Sequence, residues 1–360
     1  MVVYSVFMKN LVFFLLLFAS AAPAETVGDF RLSVLTDEVP GARQMAETES
    51  GLLLVGSLRP GKLYAVLPGA EGQAEVVTFA EGLTMPSGLA LIGEDLYVGA
   101  LDRVLRYRAI EKTFRDNPQA QIVTDKLPDK RHHGWKYLAV GPDGFLYVPV
   151  GAPCNICESE DPRFASILQM DPATGETTLY AAGVRNSVGM AWHPDTGELW
   201  FSDNGRDMLG DDVPAEEINR VVKPGAHYGY PYIHAGDIPD PQFGKGRNAA
   251  DYVPPEIRIQ AHSAALGLAF YTGDQFPASY RNALFIAEHG SWNRSSKVGY
   301  RVSVVRFSEA GPVYEPFLDL WLKGEKVSGR PNDVLVSGDG SLLVSDDKVG
   351  AIYRVTYHGR

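Results

Sequence analysis

Short apolar runs, each closed by a turn bearing Gly or Asp, recur along the chain and set its pattern. The clearest is RHHGWKYLAVGPDGFLYVPVG at Arg131–Gly151: a histidine pair, an apolar run, a Pro-Asp-Gly turn and a second run rich in Tyr and Val. Two such runs joined by a Gly-containing turn predict a β-hairpin. The unit returns as GMAWHPDTGELWFSD at Gly189–Asp203 and DVLVSGDGSLLVSDD at Asp333–Asp347, with looser copies at Gln44–Ser57, Gly88–Gly99 and Gly267–Glu288. Aligned on one small or apolar position, the copies fall at Ala46, Ala90, Ala139, Ala191, Ala269 and Leu335, with gaps of 44, 49, 52, 78 and 66 residues. Irregular repeats of this length, each mostly strand, predict propeller blades rather than a solenoid. The expected fold is all-β, a six-bladed β-propeller.

Helix signals are sparse. The best lies at Asp212–Val222, where Pro214 would open a turn or two and Glu216 and Glu217 suit a first helical turn. Ahead of the repeats, residues 1–24 carry one charge, Lys9, then the apolar run Leu11–Ala19 and Ala22-Pro23-Ala24. That arrangement predicts a secretory signal cleaved after Ala24, with Met8 an alternative start. Nine apolar residues are too few to cross a bilayer as a helix. No linker composition divides the repeats, so residues 25–360 are expected to form a single propeller domain, periplasmic or secreted, with no membrane span after processing.

Without Lys9, 32 of the 33 Lys and Arg remain against 44 Asp and Glu, a net charge of −12. An acidic chain without basic runs argues against nucleic acid and anionic membrane surfaces. The two cysteines, Cys154 and Cys157, lie in the loop after the second strand of the third repeat. Glu158 follows them, where a haem attachment site needs His, and two thiols alone do not make a zinc site. A local disulfide pinning a surface loop in an oxidising compartment is the expectation, with redox work the alternative.

The repeat also serves as a ruler. Six residues ahead of the reference position lie His133, Arg185 and Ser263 in repeats three, four and five; five residues ahead lie Asn186 and, in repeat six, Arg330. In a propeller these slots ring the axis at one end. The loops between second and third strands open at the same end, among them the insertion starting at Gly205 and His289–Gly299, which carries Lys297. His133, Arg185, Asn186, Lys297 and Arg330 are therefore expected to share one pocket. Three cations at the mouth of an acidic protein suit a flat polyanionic ligand held by charge-assisted bonds. Taken singly each residue has a plainer reading: arginines paired with backbone carbonyls or with Asp203 and Asp333, a solvated Lys297, and His133 and His132 as hydrogen-bonded turn residues.

The segments HHGWKYLAVGPDGFLYVPVG, CNIC, AAGVRNSVGMAWHPDTGELWFSDNGRDMLGDD, EEINRV with HYGYP, and GRPNDVLVSGDG together resemble the pyrroloquinoline-quinone-dependent sugar dehydrogenases, in their soluble aldose and L-sorbosone dehydrogenase branch. The likeness runs from about Gly41 to Tyr357. It implies a six-bladed propeller that oxidises a sugar at its anomeric or aldehyde carbon, with hydride passing to the quinone. By position, it makes His133 the catalytic base, sets Arg185 and Asn186 beside the quinone carbonyls, and gives Lys297 and Arg330 the cofactor carboxylates. Gly205 and Arg206 fall where the family supplies backbone carbonyls to Ca2+, and Glu216 where relatives carry an acidic residue near that metal, its plainer reading being a solvated helix residue. Asn332 replaces the second arginine of an R-x-R-D element, and Trp135 stands at the substrate end.

The mechanism so implied has neutral His133 taking the sugar hydroxyl proton while Arg185 and calcium stabilise the oxyanion growing on the quinone. The rate should then fall as pH drops through the histidine range. The substrate is a small sugar, and the electron acceptor is not specified by the sequence. Two other classes fit a propeller: a non-enzymatic carbohydrate-binding protein, needing neither base nor cofactor charges, and a calcium-dependent lactonase, needing several acidic and amide side chains on the axis where this chain places basic ones.

Overall fold

The computed structural model describes residues 25–69 and 74–359, so the expected signal at 1–24 lies outside the described residues. The chain builds six antiparallel blades whose first strands are Ala42–Glu47, Gly88–Ile92, Ala139–Val140, Met190–Trp192, Ala265–Phe270 and Pro331–Val336. Every reference position of the repeat lies on one of these strands, and first strands of neighbouring blades touch around the axis. The six-bladed propeller is confirmed. The approach at the axis is close: a Cβ on Gly189 in blade four would come 2.0 Å from the Leu266 carbonyl oxygen in blade five.

The core is divided into six apolar clusters, one for each pair of adjacent blades. Alternation along a strand decides which cluster a side chain joins. In blade one Leu52 and Leu54 pack towards blade two, while Leu53 and Val55 pack towards blade six. Both faces of each strand are thus buried, which is why the strands read as unbroken apolar runs. Each fully buried Leu or Val contributes about 1.5–3 kcal/mol.

Blade six takes its outer strand from the other end of the chain. Phe30–Thr36 pairs antiparallel with Ala351–Tyr357, Leu32 opposite Val355, and closes the ring. The long gap before blade five holds an excursion over residues 221–256. Within it Ala226–His227 pairs in parallel with Thr177–Ala182 of blade three, and Ile257–Ile259 then completes blade four.

The helix expected over Asp212–Val222 is replaced by a strand, Glu216–Arg220, paired with Leu199–Asp203 and Ile257–Ile259. Ile218 is drawn into the cluster between blades four and five, and that burial outweighs the local preference of acidic residues for a first helical turn. No helix among the described residues is long and apolar enough to cross a membrane.

Candidate active site

At one end of the ring a cavity of about 680 Å³ opens between the loops that precede first strands and those that join second to third strands. That volume lies within the range of cofactor and ligand sites. His133, Arg185, Asn186, Gly205, Glu216 and Arg330 all line it, so residues far apart in the chain converge as the repeat spacing predicts.

His133 is held in the left-handed region at φ 49°, a conformation that costs a non-glycine residue about 1 kcal/mol or more. Its Nδ1 lies 3.0 Å from the Ala152 carbonyl oxygen. A carbonyl only accepts, so neutral His133 carries its proton on Nδ1 and keeps the Nε2 lone pair. Burial, then the nearby Arg185 and His132, push its pKa down to about 2. The expectation of a titration in the ordinary histidine range is thereby corrected: desolvation and a neighbouring guanidinium both oppose the charged ring. The His132 ring lies tilted against that of His133, 4.0 Å between centroids, and is outside the lining.

Arg185 is buried, and its backbone N–H donates to Asp203 at 2.8 Å, as that of Asn186 does at 2.6 Å. Asp346 plays the same part in blade six, accepting from the Arg330 backbone N–H at 2.9 Å. An aspartate ending the second strand thus fixes the slots of blades four and six. The Arg185 side chain donates from Nε to the Asn155 carbonyl (2.9 Å), from Nη1 to the Asn204 carbonyl (3.0 Å), and from Nη2 to Asn155 Oδ1 (2.8 Å) and Asp207 (3.5 Å). Four of the five guanidinium N–H groups are engaged, leaving one on Nη1. Arg330 donates to the carbonyls of His289 and Gly290, both at 3.0 Å. The plainer reading of these arginines, bonding to backbone carbonyls, therefore coexists with their place in the lining.

Lys297 is not brought to the cavity. Its Nζ lies 3.3 Å from the Glu325 carboxylate, on the hairpin Leu322–Val327, and its side chain is 38% exposed. Arg43 and Lys348 line the cavity instead. Arg43 is 3% exposed, pairs with Asp347 at 2.8 Å and lies 4.9 Å from the Trp135 ring centroid. Arg43 lies three residues ahead of Ala46, within the first strand of blade one, so an offset of five or six misses it. Although burial alone would raise it, His289 and Arg43 hold the Asp347 carboxyl well below the usual range. Asp207, His262, His289 and the exposed Trp292 are further lining residues that no repeat slot marks.

At the opposite wall Glu216 is buried, not solvated, and accepts from the backbone N–H of Gly205 (2.7 Å) and Ala264 (3.3 Å). Burial outweighs these donors and pushes its pKa up to about 8. The Arg206 side chain turns away to Asp240. Among the described residues, no group of three or more His, Cys, Asp or Glu side chains could hold a metal ion. Gly205, Asn186, Asn204, Asp207 and Glu216 nonetheless make this wall oxygen-rich, which suits a hard cation held by carbonyl donors. Asn186 Oδ1 is buried without a partner, an acceptor awaiting a donor or cation, and the cluster Arg43, Arg330 and Lys348 suits carboxylates. The residues present fit both an anionic quinone and calcium.

Cys154 and Cys157 are disulfide-bonded, as expected. Their loop packs behind Arg185 rather than standing free on the surface.

An uncharacterized protein of Borreliella burgdorferi is 32% identical over 338 residues, covering 90% of this chain and 88% of that one. The aldose sugar dehydrogenase YliI of Escherichia coli is 28% identical over 185 residues, 49% of this chain and 43% of that one. The holo form of the pyranose dehydrogenase PQQ domain from Coprinopsis cinerea superposes with a TM-score of 0.74 at 18% identity, covering 93% of this chain and 97% of that one. The TrAA12-like family model matches residues 25–358. The likeness to pyrroloquinoline-quinone-dependent sugar dehydrogenases is thus borne out, and the chain belongs to the TrAA12-like family.

Proposed function

We propose that this protein is an exported quinoprotein dehydrogenase that oxidises an aldose or sorbosone-like sugar at its anomeric or aldehyde carbon. The observation that carries the reading is a neutral histidine, its Nε2 lone pair free, in one cavity with a cluster of cations and an unpartnered amide oxygen. When bound, the quinone supplies the two-electron acceptor for the hydride leaving the sugar carbon. Arg43, Arg330 and Lys348 would hold its carboxylates. Arg185 and Asn186 would lie beside its carbonyl oxygens, and the spare Nη1–H of Arg185 would be the donor for developing negative charge. Gly205, with the backbone at Arg206 and Glu216 behind them, would hold calcium.

His133 Nε2 takes the proton of the sugar hydroxyl, and the Ala152 carbonyl keeps the ring oriented through Nδ1–H. A positioned base typically supplies on the order of 10²–10⁴-fold. Negative charge beside Arg185 would offset the guanidinium that opposes protonation of the ring. Trp135 and Trp292 border the space left for the sugar.

The reading is tested by loading the processed chain with pyrroloquinoline quinone and calcium and assaying an aldose panel, sorbosone included, with an artificial electron acceptor. Reduction that depends on sugar, quinone and calcium is expected. Sugar binding without quinone-dependent turnover would support the carbohydrate-binding alternative, and calcium-dependent lactone hydrolysis the lactonase.

A further inference from the structure

Asn155, between the two cysteines, is not itself part of the cavity lining, yet it makes four bonds to residues that are. Its carbonyl and its Oδ1 accept from Nε and Nη2 on one edge of the Arg185 guanidinium, at 2.9 and 2.8 Å. The same Oδ1 accepts from the Asp207 backbone N–H at 2.9 Å, and Nδ2 donates to the Asp207 carbonyl at 3.2 Å. One residue of blade three thus fixes two residues carried by blade four.

Two acceptors on one edge of a planar guanidinium define its plane as a single acceptor cannot. With that edge occupied, Nη1 is turned to Asn204 and to the cavity. The carboxylate of Asp207 is farther off, at 3.5 Å, so the orientation of Arg185 depends on Asn155 more than on its ion pair. An exposed loop would not ordinarily hold an asparagine this closely, because fixing its backbone and side chain costs conformational entropy. The Cys154–Cys157 bridge closes the chain on either side of Asn155 and removes much of that freedom before the bonds form. Tyr230 ties down the same loop from the excursion: its hydroxyl accepts from the Cys157 backbone N–H at 3.0 Å and lies 3.6 Å from Cys154 Sγ.

We propose that Asn155 is a positioning residue for Arg185, and that the Cys154–Cys157 disulfide acts on the cavity by holding Asn155 in place. The consequence for quinone binding rests on the function proposed above; the consequence for Arg185 does not.

The test compares the wild type, Asn155→Ala, Cys154→Ser/Cys157→Ser and the triple variant. Serines are used because a dithiol reagent would also react with the quinone. Quinone affinity is read in the presence of calcium by quenching of tryptophan fluorescence, and the Arg185 Nε–H resonance is followed in the quinone-free proteins, assigned by its loss in Arg185→Gln. Removing a hydrogen bond to a charged group predicts weakening of about tenfold or more for Asn155→Ala, with the serine pair weaker in the same direction. Because both act through one contact, the triple variant should bind no more than about threefold worse than the poorer of the two. A bridge that only stabilises the fold would not give that non-additivity. The Arg185 resonance should be sharp in the wild type and broadened in all three variants. Wild-type affinity and an unchanged resonance in Asn155→Ala would overturn the proposal, as would losses that multiply in the triple variant. Should the serine pair not fold, Asn155→Ala alone decides. If the wild type binds no quinone the cavity assignment fails, and the Asn155 inference is judged on the Arg185 resonance.

Discussion

Gly151 packs directly against His133, the proposed base. A Cβ on Gly151 would sit 2.4 Å from His133 Cβ and 2.7 Å from the His133 carbonyl oxygen, where ordinary contacts begin near 3.4 Å. Gly151→Ala must therefore push His133 away by about 1 Å, and the nearest atoms are its Cβ and backbone, not a flexible tip that could swing aside. A misplacement of about 1 Å at a reacting group costs on the order of 10²-fold in rate. The variant should keep quinone affinity within about threefold of wild type, since Arg43, Arg330 and Lys348 are untouched and Asn186 Oδ1, at 3.3 Å from the new Cβ, needs to give by only about 0.1 Å. Its turnover at saturating quinone and sugar should fall about 100-fold, towards but not below that of His133→Ala. The assay is steady-state reduction of an artificial acceptor, paired with a quinone titration and a thermal melt to show that the fold survives. Turnover within twofold of wild type in a folded, quinone-bound Gly151→Ala protein would refute the placement of the base.

With its pKa depressed, His133 stays neutral well below the usual histidine value, so kcat/KM should be flat between pH 5 and about 7.5; an acid limb near pH 6.5 that vanishes in His133→Asn would contradict this. The same shift means that below pH 6.5 the unfolded chain binds a proton the native one refuses, so His133 by itself lowers stability by about 1.4 kcal/mol per unit of acidification, read as the difference in unfolding free energy between wild type and His133→Asn, because buried Glu216, protonated in the native state, acts in the opposite sense. Arg43→Ala and Arg330→Ala should each weaken quinone binding about 10- to 150-fold, with activity recovered at saturation, while Lys297→Ala, paired to Glu325 outside the cavity, should bind like the wild type; equal losses in all three would restore Lys297 to the site. Protein isolated from its native compartment should begin at or near Glu25 by N-terminal sequencing, and a chain beginning at Met1 or Met8 would remove the case for export.

The propeller was legible because burial on both faces makes each strand announce itself as an apolar run, and the turns between runs repeat in composition. The slots ahead of the first strands were legible for a related reason: His133, Arg185, Asn186 and Arg330 lie five or six residues ahead of a position that packing fixes. Arg43 escaped because it lies only three residues ahead of Ala46, inside the first strand rather than before it. Lys297 was misplaced because a loop offers no such register, and a glutamate 28 residues on captures it. Glu216 and Glu217 read as a helix start because local propensity takes no account of the paired strands that bury them. Asn155 carried no signal at all, since its partners depend on how blades three and four meet.

The strand that completes blade six has a bearing on how the molecule assembles. Ser33 and Arg354, bonded across that seam, lie 321 residues apart, so the ring cannot shut until nearly all the chain is present. Until then Phe30–Thr36 and Ala351–Tyr357 are unpaired edges, each the natural complement of the other on any neighbouring molecule. Loop entropy penalises the distance only slowly, by about 0.6 kcal/mol per doubling of length, so the intramolecular match prevails in dilute conditions. In concentrated refolding mixtures the same edges make exchange of the first strand between chains the expected route to dimers.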